Sequence, residues 1–156
     1  MTNAEYRSWG ALKKIDYVNS NGMTMNYNNR LQAQEYSFVA VNPYPGSTTT
    51  TQMTYDYYDD GRLKKSDVNW VGTGWNFAPN FDRLYEYDFV GRLKTAKTGA
   101  EARGQVETNP YNRPYRLDLT YNHFGEIINQ QRLHWAATFN STFQYQNNRL
   151  SVETKS

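Results

Sequence analysis

The 156-residue sequence has no cysteine, which excludes a disulfide scaffold and every chemistry that begins from a thiolate. Long apolar runs are missing as well. No stretch approaches the roughly 18 residues that a membrane-spanning helix needs. Aliphatic side chains are scarce: 9 Leu, 8 Val and 3 Ile, which with 7 Phe make 27 residues, about 17%. Scarcity of this kind accompanies disorder only where net charge is high. Here 17 Lys and Arg face 15 Asp and Glu, a formal charge of +2. That near-balance also argues against a nucleic-acid grip, which shows as a concentrated basic face. What the chain has instead is 14 Tyr and 4 Trp. Such rings bury large apolar faces while their polar tips stay bonded or wet. The composition is that of a soluble, Tyr- and Asn-rich β-type protein, and the lack of cysteine does not fix its compartment.

The glycines align four copies of one motif: Tyr6-Arg-Ser-Trp-Gly10-Ala-Leu12, Tyr57-Tyr-Asp-Asp-Gly61-Arg62-Leu63, Tyr87-Asp-Phe-Val-Gly91-Arg92-Leu93 and Tyr121-Asn-His-Phe-Gly125-Glu-Ile127. Two shorter copies lack the glycine, Met25-Asn-Tyr27-Asn-Asn-Arg30-Leu31 and Phe143-Gln-Tyr145-Gln-Asn-Asn-Arg149-Leu150. The tyrosines are separated by 21, 30, 30, 34 and 24 residues, so insertions divide the units and a strict solenoid period is excluded. Ahead of each turn, rings or leucines alternate with polar residues, as in Tyr55-Asp-Tyr57, Tyr85-Glu-Tyr87, Leu117-Asp-Leu119-Thr-Tyr121 and Phe143-Gln-Tyr145. That is the period of a half-buried strand. The Asp-Asp-Gly and Asn-Asn centres supply residues that accept left-handed backbone angles. Arg-Leu then restarts a strand with leucine inward, while Lys13, Lys14, Lys64, Lys65, Lys94 and Lys97 keep the outer face wet.

Each unit therefore reads as a β-hairpin, with turns near residues 7–10, 28–30, 58–61, 88–91, 122–125 and 146–148 and up to twelve short strands. No sustained helical pattern occurs; residues 101–107 hold at most one turn between Gly99, Gly104 and Pro110. Asn42–Thr51, Gly72–Pro79 and Thr98–Pro114 read as loops, the last long enough to be functional or packed on a neighbouring repeat. None has the character of a domain linker, so 1–156 is expected to be a single module. Its N-terminal stretch shows no signal-peptide pattern.

Raw material for catalysis is thin. His123 lies inside a repeat turn, and His134 precedes Trp135 on what reads as an outgoing strand. A triad needs a positioned base and an orienting group, and neither histidine offers one. No Gly-x-Ser-x-Gly or phosphate-cradling loop is present. Asp56, Asp59, Asp60 and Asp67 faintly echo a calcium loop, but Tyr58 takes a ligand position and no helix flanks it, so they read as turn residues. Asn140-Ser-Thr142 matches a glycosylation sequon, a pattern frequent by chance. Trp9, Trp70 and Trp135 read as the sheet's buried face or its cross-strand ladders. Trp75 and Phe77 stand in the loop Gly-Thr-Gly-Trp75-Asn-Phe77, evenly placed between packing and contact with a ligand such as a sugar ring. No catalytic, metal or cofactor residue is assigned.

The Tyr-x-x-x-Gly-Arg-Leu units, with Asp56, Asp59, Asp60 and Asp88 around the tyrosines, resemble the tyrosine–aspartate (YD) repeats of the Rhs, or rearrangement-hotspot, family of bacterial type. Tyr57, Gly61, Arg62 and Leu63 carry the resemblance, as do Tyr87, Gly91, Arg92 and Leu93, Tyr121 with Gly125, and Tyr145 with Arg149 and Leu150. It extends roughly from Tyr6 to Leu150. The resemblance implies an all-β fold of consecutive antiparallel hairpins forming one twisted, curved sheet, a section of an Rhs-type β-shell spiral. It further implies a non-catalytic role without cofactors, in a wall that encloses a C-terminal toxin cargo or serves as a secreted or cell-surface scaffold. The partners it implies are neighbouring repeat segments, cargo or another cell's surface, with self-association through exposed strand edges and no membrane insertion. The alternative is a carbohydrate-binding module using loop aromatics. The chain is too short to close a shell and lacks the Asp-Pro-x-Gly segment that ends it in toxin-bearing relatives, so a piece of a longer chain or a short wall remnant is expected.

Overall fold

In the computed structural model, which describes residues 2–41, 48–71, 79–106, 108–109 and 112–156, the alternating stretches are antiparallel strands and the motif centres are the turns between them. Packing groups the chain into two compact units, Met1–Pro79 and Asn80–Ser156. The first contains β1 (Asn3–Tyr6), β2 (Leu12–Asp16), β3 (Gly22–Tyr27), β4 (Ala33–Val41), β5 (Thr48–Tyr57) and β6 (Leu63–Val71). The second contains β7 (Arg83–Tyr87), β8 (Leu93–Thr98), β9 (Tyr115–Tyr121), β10 (Ile127–His134), β11 (Ala137–Gln146) and β12 (Arg149–Lys155). Within each unit every strand pairs antiparallel with the one before it. The helical content among the described residues is three short 3₁₀ turns, Val18–Ser20, Pro79–Phe81 and Glu101–Arg103.

The turns follow from their residues. In the third motif the Tyr58 N–H donates to the Arg62 carbonyl and the Gly61 N–H to the Tyr58 carbonyl, both at 2.9 Å. Gly61 sits at φ 89° and Gly91, in the next motif, at φ 93°, a region closed to side chains bearing a Cβ except at a cost. The same ring of bonds closes at Asn28–Gln32, where the glycine position is filled by Leu31 at φ 62°. This corrects the expectation that Arg30-Leu31 restarts a buried strand: Leu31 belongs to the turn and is exposed, and the outgoing strand begins at Ala33. Because Leu31 bears the left-handed conformation while more than half exposed, Leu31→Gly should stabilise the protein by about 1 kcal/mol, read as a rise in the urea midpoint. The last motif uses a two-residue turn instead, Asn147 and Asn148 at φ 52° and 57°, with Gln146 opposite Arg149.

Every motif hairpin also carries a one-residue bulge at the same place. Tyr57 faces Leu63, but Asp56 faces Lys65, leaving Lys64 as the extra residue. Lys13, Gln34, Lys94, Ile128 and Ser151 occupy that position in the other hairpins. A bulge bends its strand and increases the local twist, so the same bend is applied at each hairpin. It also explains the paired lysines, one at the bulge and one on the wet face. There they meet carboxylates: Lys14 with Asp16 at 2.9 Å, Lys65 with Asp67 at 2.6 Å and Lys97 with Glu86 at 2.9 Å.

The other face of each unit, lined by Met53 and Tyr55 in the first and by Tyr85, Leu117 and Leu119 in the second, is only half-buried. Among the described residues the buried apolar side chains are Val68, Ala100 and Ala102, with Pro114. The two alanines lie at the Glu101–Arg103 turn, which packs back on β7 and β8. There Arg103 meets the buried Asp82 at 2.9 Å, and Glu101 meets Arg113 at 3.2 Å. Two further expectations are corrected. Thr48–Thr51 is strand, because each threonine pairs with a residue of β4 between Phe38 and Val41. Trp135 is not on a strand: it turns the chain between β10 and β11 at φ 53°.

Candidate functional site

The repeated feature is a bond between successive hairpins. The Tyr27 hydroxyl donates to the Leu12 carbonyl at 2.8 Å, Tyr57 to Ala33 at 2.7 Å, Tyr121 to Leu93 at 2.7 Å and Tyr145 to Ile127 at 3.0 Å. Each acceptor is the residue facing the tyrosine of the previous hairpin: Leu12 faces Tyr6, Ala33 faces Tyr27, Leu93 faces Tyr87 and Ile127 faces Tyr121. The register is constant too. The residue two beyond the acceptor pairs with the residue three before the tyrosine: Lys14 with Thr24, Glu35 with Thr54, Thr95 with Asp118 and Asn129 with Thr142. The tyrosine thus staples its hairpin to the preceding one at a fixed offset, and its ring covers the sheet between them. Burial raises the Tyr57 pKa, with the neighbouring Tyr55 adding to it. Burial likewise raises the Tyr121 pKa, against the opposing pull of Arg92. The neutral hydroxyl is the form that donates, so these contributions are complete below the ordinary tyrosine value and decline as pH rises through the raised one.

The acidic or amide residue after the tyrosine closes the turn. Asp88 Oδ1 accepts from the Val90 N–H at 3.1 Å and the Arg92 N–H at 2.9 Å. Asn28 and Asn122 make the same pair of bonds in their turns. Asp88 Oδ2 holds the Arg92 guanidinium at 2.7 Å, and that guanidinium lies 4.3 Å from the Tyr121 ring centroid. Partial desolvation alone would raise the Asp88 pKa, but the Arg92 and Val90 N–H groups and the Arg92 charge hold it below the ordinary value. Asp60 is held low by its bonds to the Arg62 side chain and backbone. A depressed carboxylate stabilises the fold fully above its unfolded pKa and loses that contribution as pH falls through the folded one. Acidification below about pH 4 should therefore lower the melting temperature, and D88N should flatten that acid limb while remaining folded, since Asn28 and Asn122 fill the position of Asp88 in their own turns.

The described residues of the second unit line several open grooves, including two in which exposed rings stand beside an arginine. One, of about 440 Å³, has Tyr115, Leu117, Gln130, Arg132, His134 and Phe139 in its lining. The Tyr115 and His134 rings stack at 4.9 Å, and Tyr115 and Phe139 are half-exposed. The other, of about 410 Å³, lies at the tips of adjacent hairpins, where Phe89 is 96% and Phe124 83% exposed on either side of Arg92.

The structure brings Arg92, Tyr121 and Gly125 together, and spreads the other motif residues along the sheet as turn and staple positions. His123 is exposed in its turn. Asp67 pairs with Lys65, Asp60 with Arg62, and the Asp59 carbonyl accepts from Arg30. Among the described residues no three His, Cys, Asp or Glu side chains gather as a metal set. Trp75 and Phe77 lie outside the described residues. The residues that sequence reasoning passed over are the staple acceptors, the Arg92–Tyr121 stack and the Tyr115–His134 groove.

The geometry defines an all-β class of protein, an antiparallel meander in which, within each unit, a recurring tyrosine ties a hairpin to the one before it. No family model matches the chain, and no curated protein matches its sequence. The crystal structure of TcdB2-TccC3-TEV is similar in fold, with a TM-score of 0.66 at 14% identity over 95% of this chain and 8% of that chain. The likeness supports an Rhs-like fold. This chain spans less than a tenth of that neighbour's length.

Proposed function

We infer that this chain is a non-catalytic structural module, a section of sheet wall from an Rhs-like shell or surface scaffold. The observation that carries the reading is the tyrosine staple, the same bond at the same register in every described pair of hairpins within a unit. A wall needs an element that adds indefinitely, and a hairpin whose tyrosine reads the previous hairpin's backbone is such an element, indifferent to side chains elsewhere. The fold likeness to TcdB2-TccC3-TEV supports it. On this reading the natural neighbours of the sheet are further repeat segments, the contents are a C-terminal toxin cargo or the outer face meets another cell, and the setting is secreted or at the cell surface. The test is the structure of the polypeptide as the cell makes it. Further tyrosine-stapled hairpins around an enclosed volume are expected; a product that ends with these twelve strands and turns over a substrate would contradict it.

The groove at Tyr115 favours a second reading, binding of carbohydrate. Stacked rings beside a guanidinium and an amide offer the apolar platform and polar rim that sugar rings require. A glycan array probed with the parent chain and with Tyr115→Ala separates the two. Binding that Tyr115→Ala lowers at least tenfold supports the carbohydrate reading, and an array without signal leaves the structural one.

A further inference from the structure

The groove at Tyr115 lies on the ring-lined face of the second unit, over β9, β10 and β11, with β8 and β12 paired on either side of them. Leu117, Arg132 and Phe139 form one row across that face. Tyr115 and His134 form the row on one side, and Gln130 belongs to the row on the other. Such rows are about 7 Å apart, two residues of extended strand. Arg132 is out of keeping with its position. Five residues beyond the staple acceptor, β4, β6 and β8 carry Phe38, Val68 and Thr98, all neutral and the last two buried. β10 carries Arg132 there, exposed, its guanidinium without an ion pair or hydrogen bond among the described residues. The next strand repeats the change with Lys155, which Glu153 meets at 3.2 Å. No aspartate or glutamate stands in the groove's lining, and its other arginine, Arg116, is held by Asp118 at 2.7 Å.

We propose that this groove binds an acidic sugar, a uronic or sialic acid residue, whose carboxylate is held by Arg132 and whose ring lies against Tyr115 and Phe139. The proposal rests on the carbohydrate reading above and names its ligand class. A guanidinium with no carboxylate of its own, set among half-exposed rings, complements an anion that brings an apolar face with it. Its planar fork matches a carboxylate, which it binds through two parallel hydrogen bonds. The rings supply stacking area to any sugar, and the Gln130 amide offers both donors and an acceptor to hydroxyl groups. Arg132 is therefore the residue that selects for charge, while the rings serve neutral and acidic sugars alike. The stapled sheet keeps its structural role, because no staple tyrosine or acceptor lies in the groove.

Titration calorimetry on the full chain compares tetragalacturonate with its carboxyl-reduced counterpart, and sialyllactose with lactose. At least one of the two acidic sugars is expected to bind about tenfold or more tightly than its neutral counterpart, and which one does so distinguishes uronic from sialic acid. Arg132→Gln should abolish that preference while leaving the neutral sugar's affinity and the urea midpoint unchanged, since the side chain is exposed. Arg132→Lys should restore only part of it, because an ammonium lacks the fork. Tyr115→Ala should weaken acidic and neutral sugars together. Equal binding of acidic and neutral sugars, or acidic binding untouched by Arg132→Gln, overturns the inference and leaves the carbohydrate reading standing. Polyglutamate bound as tightly as the acidic sugars overturns it in favour of an acidic peptide. No binding of any of these sugars, with a silent glycan array, overturns both and leaves the structural reading.

Discussion

Changing Tyr27, Tyr57, Tyr121 and Tyr145 together to phenylalanine is expected to lower unfolding stability by about 4 kcal/mol, roughly 1 kcal/mol for each hydroxyl lost. The substitution keeps the rings, and with them nearly all the apolar area, so the loss isolates the four bonds to Leu12, Ala33, Leu93 and Ile127. Against the 5–15 kcal/mol that usually holds a domain together, that is a large share. The effect is large for a physical reason. With so few aliphatic residues fully buried, the sheet has little core to fall back on, and bonds between hairpins carry a burden that packing carries elsewhere. Tyr6→Phe serves as the internal control, because its hydroxyl bonds to nothing within the described chain; urea unfolding at low concentration should leave it level with the parent.

Gly99→Ala should cost about 3 kcal/mol or more, measured the same way. A Cβ at Gly99 would clash with the Asn112 carbonyl oxygen and stand 3.3 Å from the Pro114 ring, and the residue sits at φ 64° besides. Neither neighbour can yield. The Asn112 oxygen accepts from the Ala100 N–H at 2.9 Å, and Pro114 is buried. The added methyl group must therefore push the Glu101–Arg103 turn off β7 and β8, exposing Ala100, Ala102 and the Asp82–Arg103 pair. Gly104→Ala is the comparison: its Cβ would meet nothing within 4 Å, and φ 75° leaves only the conformational cost of about 1 kcal/mol.

Strand positions and turn ends were legible because alternation and turn residues are local properties. Tyr55-Asp-Tyr57 and Gly61 state their conformations without reference to the rest of the chain. Leu31 was misread for the same reason: a leucine after an arginine looks like the start of a strand, and only the closing bond from Asn28 to Gln32 shows that the turn is one residue longer. The bulges were written in the sequence but went unread. Leu63 and Val68 line the same face although five residues apart, as do Leu12 and Ile15 at three, and odd spacings on one face require an inserted residue. The staples were half visible. The tyrosine recurs, but its acceptor is a backbone carbonyl, which leaves no mark on residue identity: Ala33 serves as well as Leu93. The groove of Tyr115, His134 and Phe139 joins three strands through their register, which alternation within one strand does not reveal.

The tyrosine staple is tested most directly by the hydroxyl protons themselves, observed by NMR on tyrosine-labelled protein. The structure requires slowly exchanging hydroxyl resonances for Tyr27, Tyr57, Tyr121 and Tyr145, each with a scalar or dipolar connection to the carbonyl of Leu12, Ala33, Leu93 or Ile127, while the Tyr6 hydroxyl of the monomer exchanges freely with water. Four hydroxyls that exchange as fast as that of Tyr6 would contradict it.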